Sequence, residues 1–188
     1  MKMKQLKWTA ATLAAAVGLG FNLAAEPTLK VGDPAPKIRT GKWVQGDPVK
    51  EFEKGKAYIV EFWATWCPPC RRSIPHLNEI WQKYKDKGLV VIGQDCSERN
   101  DSGVAAFVKK MGDQMTYRVA LDDKGTDPEG RMSKTWMEAA GQEGIPTAFV
   151  VNTKGKIAWI GHPMDLNDSI IEGALSDKSA ASKSAGPN

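Results

Sequence analysis

Two periodicities alternate along this chain. Residues 57–64 (AYIVEFWA) and 89–96 (LVVIGQDC) are mostly apolar runs, as expected of strands covered on both faces of a sheet. Between them Ile74, Leu77, Ile80, Trp81 and Tyr84 recur at spacings of three and four. That spacing predicts a helix from about Pro68 to Lys87, ended by Gly88. Residues 102–112 read as a helix, 116–122 as a strand and 131–140 as a helix. Residues 146–152 and 157–162 read as two strands of an antiparallel hairpin, joined at Thr153-Lys154-Gly155-Lys156. Residues 165–175 read as a closing helix, capped by Asp165 or Asn167. Strands that alternate with helices and then pair as a hairpin make an α/β fold with a mixed sheet.

The polar ends frame this core. Residues 26–36 (EPTLKVGDPAP) are proline-rich and extended. Residues 37–49 look like a hairpin, with turn signals at Gly41 and at Gly46-Asp47-Pro48. From Ser176 the residues are small and polar and cannot build a core, so 176–188 is expected to be a disordered tail. Residues 1–25 have the layout of a secretory signal peptide: Lys2, Lys4 and Lys7, an apolar stretch from about Thr9 to Phe21, then Ala24 and Ala25 before a cut. The rival reading of that segment is an uncleaved N-terminal membrane anchor. The folded domain is then 26–175.

Charge narrows the function. The formal net charge of +4 over 188 residues includes the three leading lysines, and no acid precedes Glu26. The remaining 23 basic side chains face 22 acidic ones. A nearly neutral body without a basic stripe gives no case for nucleic acid. Export would place the chain in an oxidising compartment, periplasmic or otherwise extracytoplasmic, where disulfides persist.

Of three cysteines, Cys67 and Cys70 sit three apart in TWCPPCRR. A metal knuckle needs four ligands. Only Cys96, His76 and His162 are left to supply the others, so no metal is expected. A purely structural disulfide would close a tiny loop, where cross-linking stabilises least. The third reading is a redox pair. A strand turning directly into a helix puts Cys67 at the helix N-terminus, which favours a thiolate. Cys67 would be the exposed nucleophile and Cys70, one turn on and facing inward, the resolving thiol. Pro68 and Pro69 suit the first helical turn and remove two N–H donors, leaving that of Cys70 as the nearest.

VEFWATWCPPC, with Pro75 five residues after Cys70 and GIPTAFVV later, resembles the thioredoxin superfamily. The signal segment, the VGDPAP lead-in and the 76 residues from Cys70 to Pro146 resemble its exported TlpA/ResA-type branch. The resemblance implies a thioredoxin-like fold with an N-terminal hairpin, and a strand–helix insert at about 115–140, before a cis-proline at Pro146. It implies a disulfide between Cys67 and Cys70, and a substrate groove of Trp66, Pro68, Pro69, Ile145 and Pro146. It also implies that Glu61 is the buried acid behind the second cysteine, taking the Cys70 proton. Where thioredoxin has a lysine near that acid, an apolar residue of the Leu89–Ile92 run is expected here. Some cytochrome-maturation members carry a glutamate three residues after the second cysteine, a position that is Ser73 in this chain.

The activity so implied is that of an extracytoplasmic thiol-disulfide oxidoreductase working as a protein-disulfide reductase, without a cofactor. Its partners would be thiols and disulfides of exported proteins, in cytochrome c maturation or general thiol upkeep, and a membrane thiol electron donor. Two alternatives are a peroxiredoxin-like thiol peroxidase and a redox-silent binding module. The first needs a threonine or serine three residues before its cysteine, where this chain has Ala64. Trp63 and Cys96 are expected in the core, the latter as an inert thiol. His76 is expected on a surface face, and Arg71 and Arg72 on a solvated rim.

Overall fold

The apolar runs become the middle of a six-stranded sheet in the order β1-β4-β3-β2-β5-β6. Its strands are β1 (Thr40–Gln45), β2 (Ala57–Trp63), β3 (Leu89–Asp95), β4 (Arg118–Asp122), β5 (Thr147–Val151) and β6 (Ile157–Gly161). The helices are α1 (Pro68–Tyr84), α2 (Val104–Met111) and α3 (Asp168–Leu175). The structure is a computed structural model that describes residues 26–98, 100–125 and 129–176. The expected signal segment 1–25 and all but the first residue of the expected tail lie outside the described residues. Among those described, no helix is long and apolar enough to cross a membrane.

Strands β2 and β3 run parallel, in register from Ala57↔Leu89 to Trp63↔Asp95, and every residue of both is buried. That explains why neither run alternates: both faces are covered. β4 continues the parallel set beside β3, and β5 and β6 add the expected antiparallel hairpin beside β2. Asn167 proves to be the cap of α3, its Oδ1 accepting the Ile170 N–H at 3.2 Å.

The N-terminal hairpin is corrected. Residues 40–45 form a single edge strand that pairs antiparallel with β4. Gly41 does not turn the chain there. A Cβ on it would sit 3.1 Å from the Asp122 carbonyl oxygen, so the glycine serves close approach between backbones. Gly46, at φ +74°, ends the strand, and Pro48, with no N–H to give, follows outside it.

Side chains of β2 alternate between two cores. Ile59 and Trp63 face α1, α2 and α3, whereas Tyr58, Val60 and Phe62 face the other side. There the expected strand–helix insert is completed by a helical segment after β4, with a π turn at Ser133–Met137 and a 3₁₀ turn at Glu138–Ala140. Its anchor is Trp136, fully buried, with ring centroids 5.3 Å from Phe149 and 6.4 Å from Phe62. The segment is tied down at both ends. Asp122 accepts from the Met132 N–H (3.0 Å), the Ser133 N–H (2.9 Å) and the Ser133 hydroxyl (2.8 Å). Gly130 lies against that carboxylate so closely that a Cβ would collide with it. At the other end the Leu29 N–H donates to the Ala139 carbonyl at 2.8 Å.

Candidate active site

β2 runs straight into the double-cysteine turn, and α1 starts at Pro68. Cys67 caps the helix in an extended conformation (φ −86°, ψ 107°), with prolines filling the first two helical positions. The missing proline N–H groups leave Cys70 as the first donor, and its N–H points at Cys67 Sγ at 3.2 Å. The two sulfurs are bonded at 2.04 Å. A sulfur at a helix N-terminus with an amide aimed at it is where a thiolate is favoured after reduction.

Exposure of Cys67 needs correction. The residue is only 2 % exposed, and Cys70 is fully buried. Its sulfur is reached through a cavity of about 690 Å³ between the cysteine turn and the segment after β4. Trp66, Pro68, Pro69 and Ile145 line that cavity, together with Met137 and Cys96. Pro146 follows a cis Ile145–Pro146 bond as expected, but it is buried and the cavity lining ends at Ile145. The Ile145 carbonyl oxygen lies 3.7 Å from Cys67 Sγ, placed to accept a hydrogen bond from the reduced thiol. Trp66 is 56 % exposed, at the mouth.

Behind α1, Glu61 is fully buried on the same face of β2 as Ile59 and Trp63. Burial pushes its carboxyl up to about 8, against partial opposition from hydrogen bonds with Ser73 and Tyr117. At neutral pH it therefore carries a proton. Ser73 Oγ lies 3.1 Å from Glu61 Oε1 and 2.9 Å from the Cys70 carbonyl oxygen. One hydroxyl proton cannot serve both, and the carbonyl can only accept. The consistent arrangement is a chain: the Glu61 carboxyl donates to Ser73 Oγ, and Ser73 donates to the Cys70 carbonyl. Tyr117 O–H donates to Glu61 Oε2 at 3.3 Å, and burial followed by the charge of Glu61 raises that phenol well above its ordinary value.

Sequence reasoning did not identify the partners of Glu61. Ser73 stood out only as a departure from a family pattern, and Tyr117 lies 56 residues away from the acid. The β3 residue opposite Glu61 is Gly93, just beyond the expected Leu89–Ile92 run. A Cβ on it would meet the Tyr117 ring at 3.0 Å and Trp63 Nε1 at 3.1 Å. The tyrosine thus occupies the space that a side chain from β3 would fill. A glycine inside an apolar strand is the one signal of such an approach.

The remaining candidates make no hydrogen bond to either sulfur among the contacts of the described residues. Cys96 is buried and free, with its thiol pushed up to about 12 by burial and then by Asp95. His76 is half-buried rather than on an open face, its Nε2 3.1 Å from the Leu166 carbonyl oxygen. Arg71 and Arg72 are exposed. Among the described residues no group of side chains is arranged to hold a metal ion.

The Redoxin family pattern matches residues 30–175. The chain is 32 % identical over 155 residues to protein FixW of Rhizobium leguminosarum, covering 78 % of this chain and 68 % of that protein. It is 34 % identical over 148 residues to the thiol-disulfide oxidoreductase ResA of Bacillus cereus, covering 74 % and 76 %. Among solved structures, a putative thiol:disulfide interchange protein DsbE from Chlorobium tepidum superposes with a TM-score of 0.61 at 27 % identity, covering 78 % of this chain and 99 % of that one. A thiol-disulfide isomerase from Corynebacterium glutamicum, 20 % identical with a TM-score of 0.64 over 80 % and 99 %, shares the fold. With a bonded cysteine pair at the start of α1, a mixed thioredoxin-like sheet and these relatives, the chain belongs to the Redoxin family, as a thiol-disulfide oxidoreductase of the TlpA/ResA type within the thioredoxin superfamily.

Proposed function

We propose that the protein is an extracytoplasmic disulfide reductase acting on exported proteins, with Cys67 as nucleophile, Cys70 as resolving thiol and Glu61 as proton acceptor. The observation that carries this reading is the Cys70 N–H aimed at Cys67 Sγ, at the one end of α1 that opens onto the cavity. In the reduced protein the Cys67 thiolate attacks a substrate disulfide, forming a mixed disulfide and releasing one substrate thiolate. In the fraction of molecules whose Glu61 carboxyl is ionised, about one in ten at pH 7 for a group near 8, Cys70 gives its proton to Glu61 and attacks the Cys67 sulfur. The substrate leaves as a dithiol, carrying two electrons, and Cys67–Cys70 is left oxidised. Trp66, Pro68, Pro69 and Ile145 form the groove for an extended substrate segment, with the buried Pro146 behind Ile145.

The prolines support the reducing direction. A couple becomes oxidising when its thiolate is strongly stabilised, and here two of the donors that would do so are absent. The N-terminal segment supports export, and with it a membrane thiol donor that restores the dithiol. The ResA-type relatives support service in cytochrome c maturation or general thiol upkeep.

The test is capture. Cys70→Ser leaves Cys67 able to attack and removes the group that resolves the product. Expressed in a host that exports it, the variant is expected to accumulate mixed disulfides at Cys67 with exported cysteine proteins and with a membrane thiol carrier. Mass spectrometry of the trapped species identifies them. An exported variant that captures nothing overturns the assignment.

A further inference from the structure

Immediately after β3 the chain makes a turn that no residue in the cysteine motif explains. Ser97 has φ +59°, the one non-glycine residue with positive φ among those described. A serine is uncommon in that region and is held there by its surroundings. The turn delivers two acceptors to the residues just before Cys67. The Ser97 carbonyl takes the Trp66 indole N–H at 3.0 Å. The Glu98 carboxylate takes the Thr65 backbone N–H at 2.6 Å, a short, charge-assisted contact. The strap is anchored from β4's side by Lys124, whose Nζ donates to the Glu98 carbonyl (3.1 Å) and to Asp101 Oδ1 (2.9 Å). Beneath it lies Asp95, 2 % exposed, with one carboxylate oxygen unpartnered. Burial, then the charges of Glu98 and Asp101, push Asp95 up to about 8. At neutral pH it is therefore protonated.

We propose that Glu98 is a positioning residue for the redox couple: by gripping the Thr65 amide it holds the turn that presents Cys67 Sγ to the Cys70 N–H. This rests on the reading of Cys67 as the nucleophile. Cys67 hangs between two fixed points. Its own N–H bonds the Ala64 carbonyl (3.2 Å), and its carbonyl accepts from Arg71 in the first turn of α1 (3.1 Å). Thr65 and Trp66 span the gap, and the strap holds both. Releasing Thr65 lets that pair move, and the Sγ–amide contact that stabilises the thiolate lengthens. Two effects of Glu98 on Cys67 therefore oppose one another. Its hold favours the thiolate, whereas its negative charge disfavours it.

Glu98→Ala removes hold and charge together. Glu98→Gln removes the charge and keeps a side-chain oxygen for Thr65. The measurement is the pH profile of Cys67 alkylation by iodoacetamide in the fully reduced protein, read by peptide mass spectrometry. Glu98→Ala is expected to slow labelling at pH 7 by about 3- to 10-fold, with the profile moved to higher pH. Glu98→Gln is expected to restore labelling to within about twofold. If both variants label faster, Glu98 acts through its charge. If neither differs from the parent, it does not act on Cys67. Either result overturns the proposal. Cys96, buried, reports folding in the same experiment by staying unlabelled. Should Glu98→Ala not fold, Glu98→Asp decides: it keeps the charge and withdraws the carboxylate from the Thr65 N–H, so slower labelling supports the hold and an unmoved or faster profile overturns it. Insulin reduction by the parent protein checks the underlying reading separately, since the labelling requires no turnover.

Discussion

Cys67 and Cys96 line the same cavity, and their surroundings set them apart. Both are nearly covered, at 2 % and 3 % exposed, so solvent access does not separate them. Cys67 stands where a helix begins, with an amide N–H pointing at its sulfur. Cys96 follows the end of a strand, its own N–H committed to the Trp63 carbonyl at 2.9 Å, with the carboxyl of Asp95 next to it. The same element in two backbone settings gives one sulfur that a thiolate suits and one whose thiol is pushed to about 12. Burial, then Asp95, raises the Cys96 thiol, whereas at Cys67 a helix N-terminus and an amide N–H offset a similar depth.

The sharpest break in that comparison is deletion. Cys67→Ser is expected to reduce insulin turnover to the uncatalysed background, with Cys96→Ala within about twofold of the parent, because in the proposed mechanism Cys67 and not Cys96 makes the attack. Activity surviving in Cys67→Ser would reassign the nucleophile. Next is the ionisation contrast in the reduced protein. A thiol at about 12 is ionised roughly once in 10⁵ molecules at pH 7. Iodoacetamide is therefore expected to label Cys67 more than about 10³-fold faster than Cys96. Comparable rates would show that the strand end does not silence Cys96.

The smallest effect belongs to Glu61, which sharpens the picture of the resolving side. Glu61→Gln keeps the Ser73 and Tyr117 contacts but cannot take a proton. It is expected to slow release of the mixed disulfide by about 10², measured by single-turnover quench with a disulfide peptide. The same variant should flatten stability against pH. Between 4.5, the ordinary carboxyl value, and about 8, the folded protein keeps a proton that the unfolded chain has released. Rising pH then destabilises it by about 1.4 kcal/mol per pH unit for one such group. Glu61→Gln loses that contribution, while Asp95, also near 8, retains one of the same sign. Urea midpoints from pH 5 to pH 9 measure the slope, and an unchanged slope would mean that Glu61 titrates as an ordinary carboxyl.

Much of this was written locally in the chain. The run 57–64, the spacing from Ile74 to Tyr84 and the motif between them place a strand, a turn and a helix, and so place both sulfurs. Pairings between distant segments left no such mark. β1 found its partner β4 about 80 positions along, so its turn-like glycines read as a hairpin. Tyr117 reaches Glu61 across β3, visible in the sequence only as Gly93. The cover over Cys67 comes from residues 129–145, which nothing in the motif announces. The grip of Glu98 on Thr65 depends on the backbone angle of Ser97, which its residue type disfavours.

The covering segment has a consequence of its own. It touches the rest of the protein through Trp136, whose ring packs on Phe149 of β5 and Phe62 of β2, and through the Asp122 carboxylate and the Leu29 amide. The wall of the entrance and the sulfur behind it are thus joined, because Ile145 at the end of that wall sets its carbonyl oxygen 3.7 Å from Cys67 Sγ. A substitution that reshapes the cover therefore reaches the couple as well, through that carbonyl and through the contact of Trp136 with Phe62.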